Sequence, residues 1–584
     1  MDHIVLYFYL LIFLVQSRSF LVSKMFAGST FLYLIGIFYS ARLTLQASSP
    51  TSNYYIGAVV EYHPVTKGDN GTAIANENAK NFMTFLKTAS ENEVDIIVFP
   101  ENALFSGKSY PIDERSSYLP HSTYLPHPKE SKVPCHDTSS NVMEAVKAMS
   151  CAAKRHAMYI VINVREKEKC SGENCSKDGH NLYNTNIVFD RTGAVIAKYR
   201  KWNLFGELSM NRTSKPDIST FRTDFDVNFG QFICFDILFG TPAVKLVRDK
   251  KVTDVIFSSH WFSELPFLTA NQIQTGWSFA HNVNFLGSGY NEPSTGSGGT
   301  GIYAGRDGHF ARVWSEKSAN ALIVAKIPKI INGQRTQPIN PNDAMVFFYS
   351  ITEIPTINQQ ESVPQQHLKT DDLSPYTTEL FQPTNGTHNL TLCNNDLCCN
   401  FTTETVHHDN LVKGAAKYYR YRFAVFNGVR SFSNFATGGI EVCSVISCLD
   451  DNPTSCNQRF DTNTIIVHPT TFNSIVISSF AKDSTNITRF PLSINTELHP
   501  LNVTDFTFVS SKINATHVNL KYTLTKPRKD LMTFAIYGRN LTADGLPKTT
   551  SASSKIITPF YLLFITFIIL AVGNNNINSL LSFV

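Results

Sequence analysis

Over 584 residues the chain carries a formal net charge of only +4, and it has no long run of lysine or arginine. Nothing therefore marks it as a partner for nucleic acid or for an acidic protein surface. His, Cys, Asp and Glu nowhere gather at metal-ligand spacing, so no metal and no organic cofactor is expected. The one glycine-rich stretch, Gly296–Gly301, lacks both a lysine and the strand–loop–helix context of a phosphate loop. It reads as backbone fitting closely beneath a site. Long apolar runs are confined to the two ends, and none offers the roughly 20 apolar residues plus basic cytoplasmic flank of a membrane span.

The ends carry processing signals instead. Within residues 1–48, two apolar stretches, Ile4–Val15 and Phe26–Tyr39, are separated by Arg18 and Lys24 and followed by small residues at Ala47-Ser48-Ser49. This is the layout of a signal peptide with an extra leader; Met25 is an alternative start and an uncleaved anchor the alternative to cleavage. In residues 551–584, the small cluster Ser551-Ala552-Ser553-Ser554 precedes the apolar Ile556–Gly573, the ingredients of a GPI signal. Pro559 and the polar Asn574-Asn575-Asn576 depart from that pattern. N-x-[ST] sequons lie at Asn70, Asn174, Asn211, Asn385, Asn389, Asn400, Asn486, Asn502, Asn514 and Asn540. The expectation is an extracellular glycoprotein, secreted or held at the cell surface by a GPI lipid.

In that compartment thiols normally oxidise, and the chain has 11 cysteines, an odd number. Cys135 with Cys151, Cys170 with Cys175, and six more among Cys393, Cys398, Cys399, Cys443, Cys448 and Cys456 make ten, although sequence does not dictate the pairing. Cys234 is left over, in the apolar run GQFICFDILFG. A small buried hydrophobe is the plain reading of such a residue; a thiol reserved for chemistry is the other.

At this length two domains are expected. Between about 50 and 330, β-rich runs alternate with helical ones: strands at Tyr54–Tyr62, Asp95–Phe99, Met158–Val164, Asp254–Phe257 and Asn284–Gly287; helices at Ala75–Ser90, Asn141–His156 and near Leu268–His281. A hairpin, Asn184–Phe189 with Val195–Tyr199, and a strand holding Cys234 lie between them. This is an α/β domain. Residues 355–384, rich in Gln, Pro, Ser and Thr, read as a linker. Residues 385–545 offer short strand-like runs, Tyr418–Phe426, Thr464–Val467, Ser474–Phe480, His517–Thr523 and Leu531–Tyr537, and hardly any amphipathic helix. They predict an all-β, disulfide-bonded second domain, with structural support as its plain role.

Three short sequences each place a reactive side chain directly after a strand, where side chains converge at one edge of a sheet. They are FPE ending at Glu101, YRKWNLF with Lys201, and CFD with Cys234. In identity, order and spacing they resemble the nitrilase superfamily, whose members hydrolyse carbon–nitrogen bonds on an α-β-β-α sandwich. The stretches CFDILFGTPAVKLVRDKKVTDVIF, SSHWFSELPFLTANQIQTGWSFAHNVNFLGSGYN and GSGGTGIY, with NLTLC and the cysteines at 443, 448 and 456 further on, narrow the likeness to the vanin and biotinidase branch.

That resemblance implies Cys234 as nucleophile, Glu101 as general base and Lys201 as stabiliser of the tetrahedral intermediate. The backbone N–H of Phe235 would share the oxyanion hole, and Glu207 would hold the lysine in position. It implies an amidase acting on a small vitamin-related amide, pantetheine first and biocytin second. Trp261, Phe262, Trp277, His281 and Tyr290 are candidate substrate-binding residues; Trp277 and His281, four apart, share a helix face in a way that suits packing equally. A glycosylated surface protein without activity and a papain-like thiol protease are the rival classes. The second lacks its local signature around Cys234 and leaves FPE and YRK unexplained.

Overall fold

The computed structural model describes residues 48–67, 70–105, 115–173, 175–350, 352–354, 368–414 and 416–550. The expected leader up to residue 47 and the expected tail 551–584 fall outside the described residues, as does Asn174. Among the described residues no helix is long and apolar enough to cross a membrane.

Apolar, β-branched and aromatic runs form β1 (Tyr54–Tyr62), β2 (Ile96–Val98), β3 (Tyr159–Lys169), β4 (His180–Phe189), β5 (Val195–Arg200), β6 (Thr220–Arg222) and β7 (Asn228–Ile233). They are followed by β8 (Asp254–Ser259), β9 (Glu264–Leu265), β10 (Asn284–Tyr290), β11 (Thr300–Ala304), β12 (His309–Val313) and β13 (Asn320–Pro328). The main helices are α1 (Gly71–Glu91), α2 (Glu144–His156) and α3 (Ala270–His281). Strand order runs β5-β4-β3-β2-β1-β10-β8-β7-β6, with β13 also beside β1 and β11 beside β10.

Successive side chains of a strand point to opposite faces, and here the two faces serve different cores. From β1, Ala58, Val60 and Tyr62 pack with Phe82 and Phe85 of α1 and Met149 of α2. Its alternate residues Tyr55 and Val59 instead meet Ile256 of β8, Leu286 of β10 and Ile323 of β13. On the far side, Val255 and Phe257 of β8 and Phe285 of β10 cover Ile273 and Trp277 of α3. The layers are thus helix, sheet, sheet, helix, the α-β-β-α sandwich that the sequence leads one to expect.

The second domain is two antiparallel five-stranded sheets. One contains Thr377–Phe381, Arg420–Phe432, Ala436–Cys448, Leu531–Asn540 and Ile487–Asn495; the other contains Gly386–Asn394, Leu397–His407, Thr470–Lys482, His517–Leu524 and Phe506–Lys512. Phe401, Phe423, Phe472, Tyr522 and Phe534 fill the space between them. The outer face of the first sheet lies on α3, so closely that a Cβ on Gly276 would sit 2.5 Å from the Phe490 ring. Disulfides join Cys135–Cys151, Cys170–Cys175, Cys393–Cys398, Cys399–Cys443 and Cys448–Cys456, and Cys234 is free and buried. The Cys399–Cys443 bond ties one sheet to the other.

Three expectations change. Thr464–Val467 is not a strand; Ile466 makes only an isolated bridge to Lys417. Of the expected linker 355–384, residues 355–367 lie outside the described residues, and the remainder is structured. Lys369–Thr370 pairs in parallel with β9, and Thr377–Phe381 is an edge strand of the second domain. The strand expected to hold Cys234 stops at Ile233.

Candidate active site

β7 ends one residue before the thiol, and Cys234 opens a short 3-10 turn with φ of +48°. A non-glycine residue in that left-handed region is strained and must be held there by its surroundings. Asp236 does the holding. Its Oδ2 accepts from Ile233 N at 3.1 Å and from Tyr199 Oη at 2.8 Å. Its Oδ1 accepts from Asn203 N at 2.9 Å and Asn203 Nδ2 at 2.8 Å. One buried carboxylate therefore pins the cysteine turn to the loop after β5 that carries Lys201. Burial pushes its pKa from 3.8 to about 6 against those hydrogen bonds.

Three strand ends converge at this point. Glu101 follows β2, Lys201 follows β5 and Cys234 follows β7. Lys201 Nζ lies 2.7 Å from Glu101 Oε1 and 3.1 Å from Glu207 Oε2, with Glu101 1% and Lys201 2% exposed. Glu101 Oε2 accepts from His260 N at 2.8 Å, and its Oε1 also accepts from Asn184 Nδ2 at 2.7 Å. Asn184 Nδ2 donates to Glu207 as well, and Glu207 Oε2 accepts from Phe205 N at 2.9 Å. The lysine is thus held between two carboxylates, in the position expected of Glu207. Burial pulls the ammonium toward neutrality, but Glu101 and then Glu207 outweigh it, so Lys201 stays charged.

The thiol behaves otherwise than its lysine neighbour suggests. Burial first, and then the Glu101 charge, push the Cys234 pKa well above its ordinary value, and Lys201 only partly opposes them; the thiol itself donates to His260 O at 3.4 Å. Burial and the Glu101 charge thus favour the protonated thiol over the thiolate, and Lys201, matched by two acids, does not offset them. The thiol needs a base at the moment of attack.

Cys234 opens on a narrow cavity whose walls include Phe205, Phe235, Trp261, Phe262 and Phe432. Trp261 and Phe262, two of the expected substrate-binding residues, stand in the wall of that cavity. Trp277 and His281 do not. They line a separate pocket with Phe490 and Leu541 beneath the second domain, and burial lowers the His281 pKa to about 4, keeping it neutral. Helical spacing suited packing, and packing is what it serves. Tyr290 stacks on the His260 ring with centroids 3.8 Å apart, behind the cavity wall. The glycine-rich stretch meets Glu61 and α3: Gly299, at φ of +106°, leaves 2.5 Å between its would-be Cβ and Ala270.

Sequence reading missed Asn184, Asp236, His260 and Lys369. Asp236 was in view within CFD, and the others carry no local signal. Lys369, Phe432 and Ser433 reach the cavity from beyond residue 366. Among the sequons, Asn70, Asn385, Asn389, Asn400, Asn486, Asn502 and Asn514 are exposed, while Asn211 and Asn540 are half-buried. Asn211 Oδ1 is occupied by Leu182 N at 2.9 Å and Arg115 Nη1 at 3.0 Å.

Comparison with known proteins accounts for this architecture. The model of the carbon-nitrogen hydrolase family matches residues 58–274, and that of the vanin C-terminal domain matches residues 366–544. Vanin-like protein 1 of Drosophila melanogaster is 33% identical over 512 residues, covering 85% of this chain and 87% of that protein. The chain belongs to the vanin family. Among its other relatives are a Homo sapiens pantetheinase, 28% identical over 432 residues (73% of this chain, 79% of that one), and Homo sapiens biotinidase, 28% identical over 438 residues (70% and 77%). It is a hydrolase of carbon–nitrogen bonds in amides, built on a nitrilase-type fold.

Proposed function

We propose that this vanin-family chain hydrolyses the linear secondary amide of pantetheine, releasing pantothenate and cysteamine, through a covalent thioester on Cys234. The observation that carries this reading is the free, buried thiol of Cys234 next to the Glu101–Lys201 pair, on a cavity walled mainly by apolar side chains. Glu101 takes the thiol proton as Sγ attacks the amide carbon. The developing oxyanion is met by Lys201 Nζ and the backbone N–H of Phe235; one such donor is worth about 10²–10³ in rate. The tetrahedral intermediate collapses with cleavage of the C–N bond, and Glu101 returns the proton to the leaving amine. Water, deprotonated by Glu101, then attacks the thioester, and the second collapse frees the acid and restores the thiol. Glu207 and Asn184 keep the lysine and glutamate in register, and Asp236 positions the thiol.

Seven exposed sequons and five disulfides support a secreted or cell-surface enzyme, and the composition of residues 551–584 supports GPI linkage. The test is release of free amine from pantetheine and from biocytin, with Cys234→Ala as matched control and circular dichroism to verify folding. Cysteamine release that vanishes in the variant is the expected result. Lysine release instead assigns a biotinidase, and a folded protein inert on both points to another amide or to a surface role.

A further inference from the structure

The second domain does more than rest on α3. Ahead of its first sheet, Lys369–Thr370 adds a short parallel strand to β9, with Lys369 N donating to Ser263 O at 2.9 Å and Asp371 N to Leu265 O at 2.9 Å. β9 follows Trp261 and Phe262 directly, so this pairing fixes the Lys369 backbone against the cavity wall. Its side chain then enters the same cavity as the thiol. The ammonium lies 4.5 Å from the Phe205 ring centroid and 5.0 Å from that of Phe262, between two of the aromatic walls.

Among the described residues the ammonium has no carboxylate in ion-pair contact; burial pulls its pKa below the ordinary lysine value, and the charge of Glu264 only partly opposes this. Its side-chain hydrogen bond goes to a neutral hydroxyl, Ser433 Oγ, at 3.0 Å. The two nearby acids are taken: Arg430 holds Glu264 Oε1 at 2.5 Å and Asp371 Oδ2 at 3.1 Å. A half-buried cation bound to one hydroxyl and two ring faces keeps donors in reserve, and burial without a charge partner is costly. Besides its aromatic rings the cavity wall holds His260, Glu264 and Ser433, and Lys369 is the ammonium among these polar groups, supplied by the other domain.

We propose that Lys369 is a specificity-determining, substrate-binding residue: it receives an oxygen acceptor, carboxylate or hydroxyl, carried by the substrate beyond an apolar segment next to the scissile amide. The second domain thereby takes part in choosing the substrate. This rests on the amidase reading of Cys234, and the test separates the two.

The full-length protein is compared with Lys369→Met, which keeps the stem and loses the charge, and Lys369→Arg, which keeps the charge. The first readout needs no turnover: the rates at which iodoacetate and iodoacetamide alkylate Cys234, followed by intact mass. The iodoacetate-to-iodoacetamide ratio is expected to fall about tenfold or more in Lys369→Met and to stay near wild type in Lys369→Arg. The second is kcat and KM on p-nitroanilides of succinate, 4-hydroxybutyrate and pentanoate. The succinate-to-pentanoate preference is expected to drop about 10- to 100-fold in Lys369→Met, through KM. A drop for succinate alone assigns a carboxylate, and a parallel drop for 4-hydroxybutyrate assigns any oxygen acceptor. An unchanged alkylation ratio in folded Lys369→Met overturns the proposal even if pantetheine is cleaved. A changed ratio in a protein that cleaves no amide keeps Lys369 as an anion site and sinks the amidase reading instead.

Discussion

Replacing Lys201 by methionine removes the one cation from a cluster that contains Glu101, Glu207 and the thiol. Glu101 is 1% exposed and Lys201 2% exposed, so this is a buried pair, for which removal of one partner typically costs about 3–5 kcal/mol. The sign follows from the lysine. Its folded pKa is raised, so its stabilising contribution is fully present below the unfolded lysine value near ~10.4, neutral pH included, and is lost only at higher pH. Lys201→Met should therefore lower Tm at pH 7.5, by about 6–10 °C at roughly 2 °C per kcal/mol for a large domain. Glu101→Gln leaves the opposite orphan, a buried ammonium with only the part-exposed Glu207 for company. The double variant leaves neither and should be more stable than the sum of the single losses by about 1.5 kcal/mol or more. All three should lose at least about 10²-fold in kcat, because each lacks the base or the oxyanion partner. Thermal unfolding by circular dichroism and amine release measure the two quantities. Strict additivity of the stability losses would refute the reasoning, since it would mean that Glu101 and Lys201 do not interact in the folded protein.

Two further outcomes follow from other parts of the fold. Asp236, with a folded pKa raised to about 6 from 3.8, binds its proton more tightly in the native state, so it should contribute a loss of stability on the order of 3 kcal/mol as pH rises from 4 to 7, alongside Glu61 and Asp371, both raised to about 7. Asp236→Asn, neutral throughout, should flatten that slope in Tm while losing about 10²-fold in kcat as the Cys234 turn loosens; an equal slope in both proteins refutes it. Breaking Cys399–Cys443, which spans 44 residues, with a Cys399→Ala/Cys443→Ala pair should destabilise the second domain by about 4 kcal/mol on the loop-entropy estimate, read as a lower-temperature transition in calorimetry.

The legible parts of the molecule are those whose information is local. β1 is a nearly continuous apolar run of nine residues, and the helix expected at Ala75–Ser90 falls inside Gly71–Glu91. FPE, YRK and CFD each sit on a strand end, so their reactive side chains could be found one motif at a time. The missed strands tell the converse. Gly386–Asn394 and Leu397–His407 form a hairpin whose outer positions are Asn, Thr and Glu, so half of each strand reads as loop. Ala436–Cys448 has two glycines near its start, where Arg539 and Asn540 approach its backbone. Trp277 and His281 show the limit of helical spacing: it says that two side chains share a face, and the partner across that face, here Phe490 and Leu541, is set by a strand more than 200 residues away. Lys369 is the extreme case. Its stretch has linker composition, and only pairing with β9 turns it toward the cavity.

That pairing changes how the two domains should be understood. Had the second domain merely buried the outer face of α3, apolar contacts of the Phe490 and Tyr537 kind would suffice, and no charge would be needed near the thiol. Instead the contact beside the active site is ionic: Arg430 from the second domain bridges Glu264 of β9 and Asp371 beyond Lys369, with all three buried. Burial holds the Asp371 carboxyl above its ordinary range despite the guanidinium, the mark of a contact that costs desolvation. Such a network contributes little net stability compared with apolar packing but is demanding in geometry. Its geometric effect here is to hold the Lys369 strand on β9 and to pair both nearby acids with Arg430 rather than with Lys369. The hairpin tip adds to this, with Phe432 in the cavity wall and Phe435 edge-on to Phe205 at 4.8 Å, next to the loop that carries Lys201. A catalytic cluster made wholly by the first domain thus opens into a cavity finished by the second, and the two can diverge separately: the chemistry is fixed by strand ends of the sandwich, and selection is adjustable through a short segment and a hairpin tip outside it.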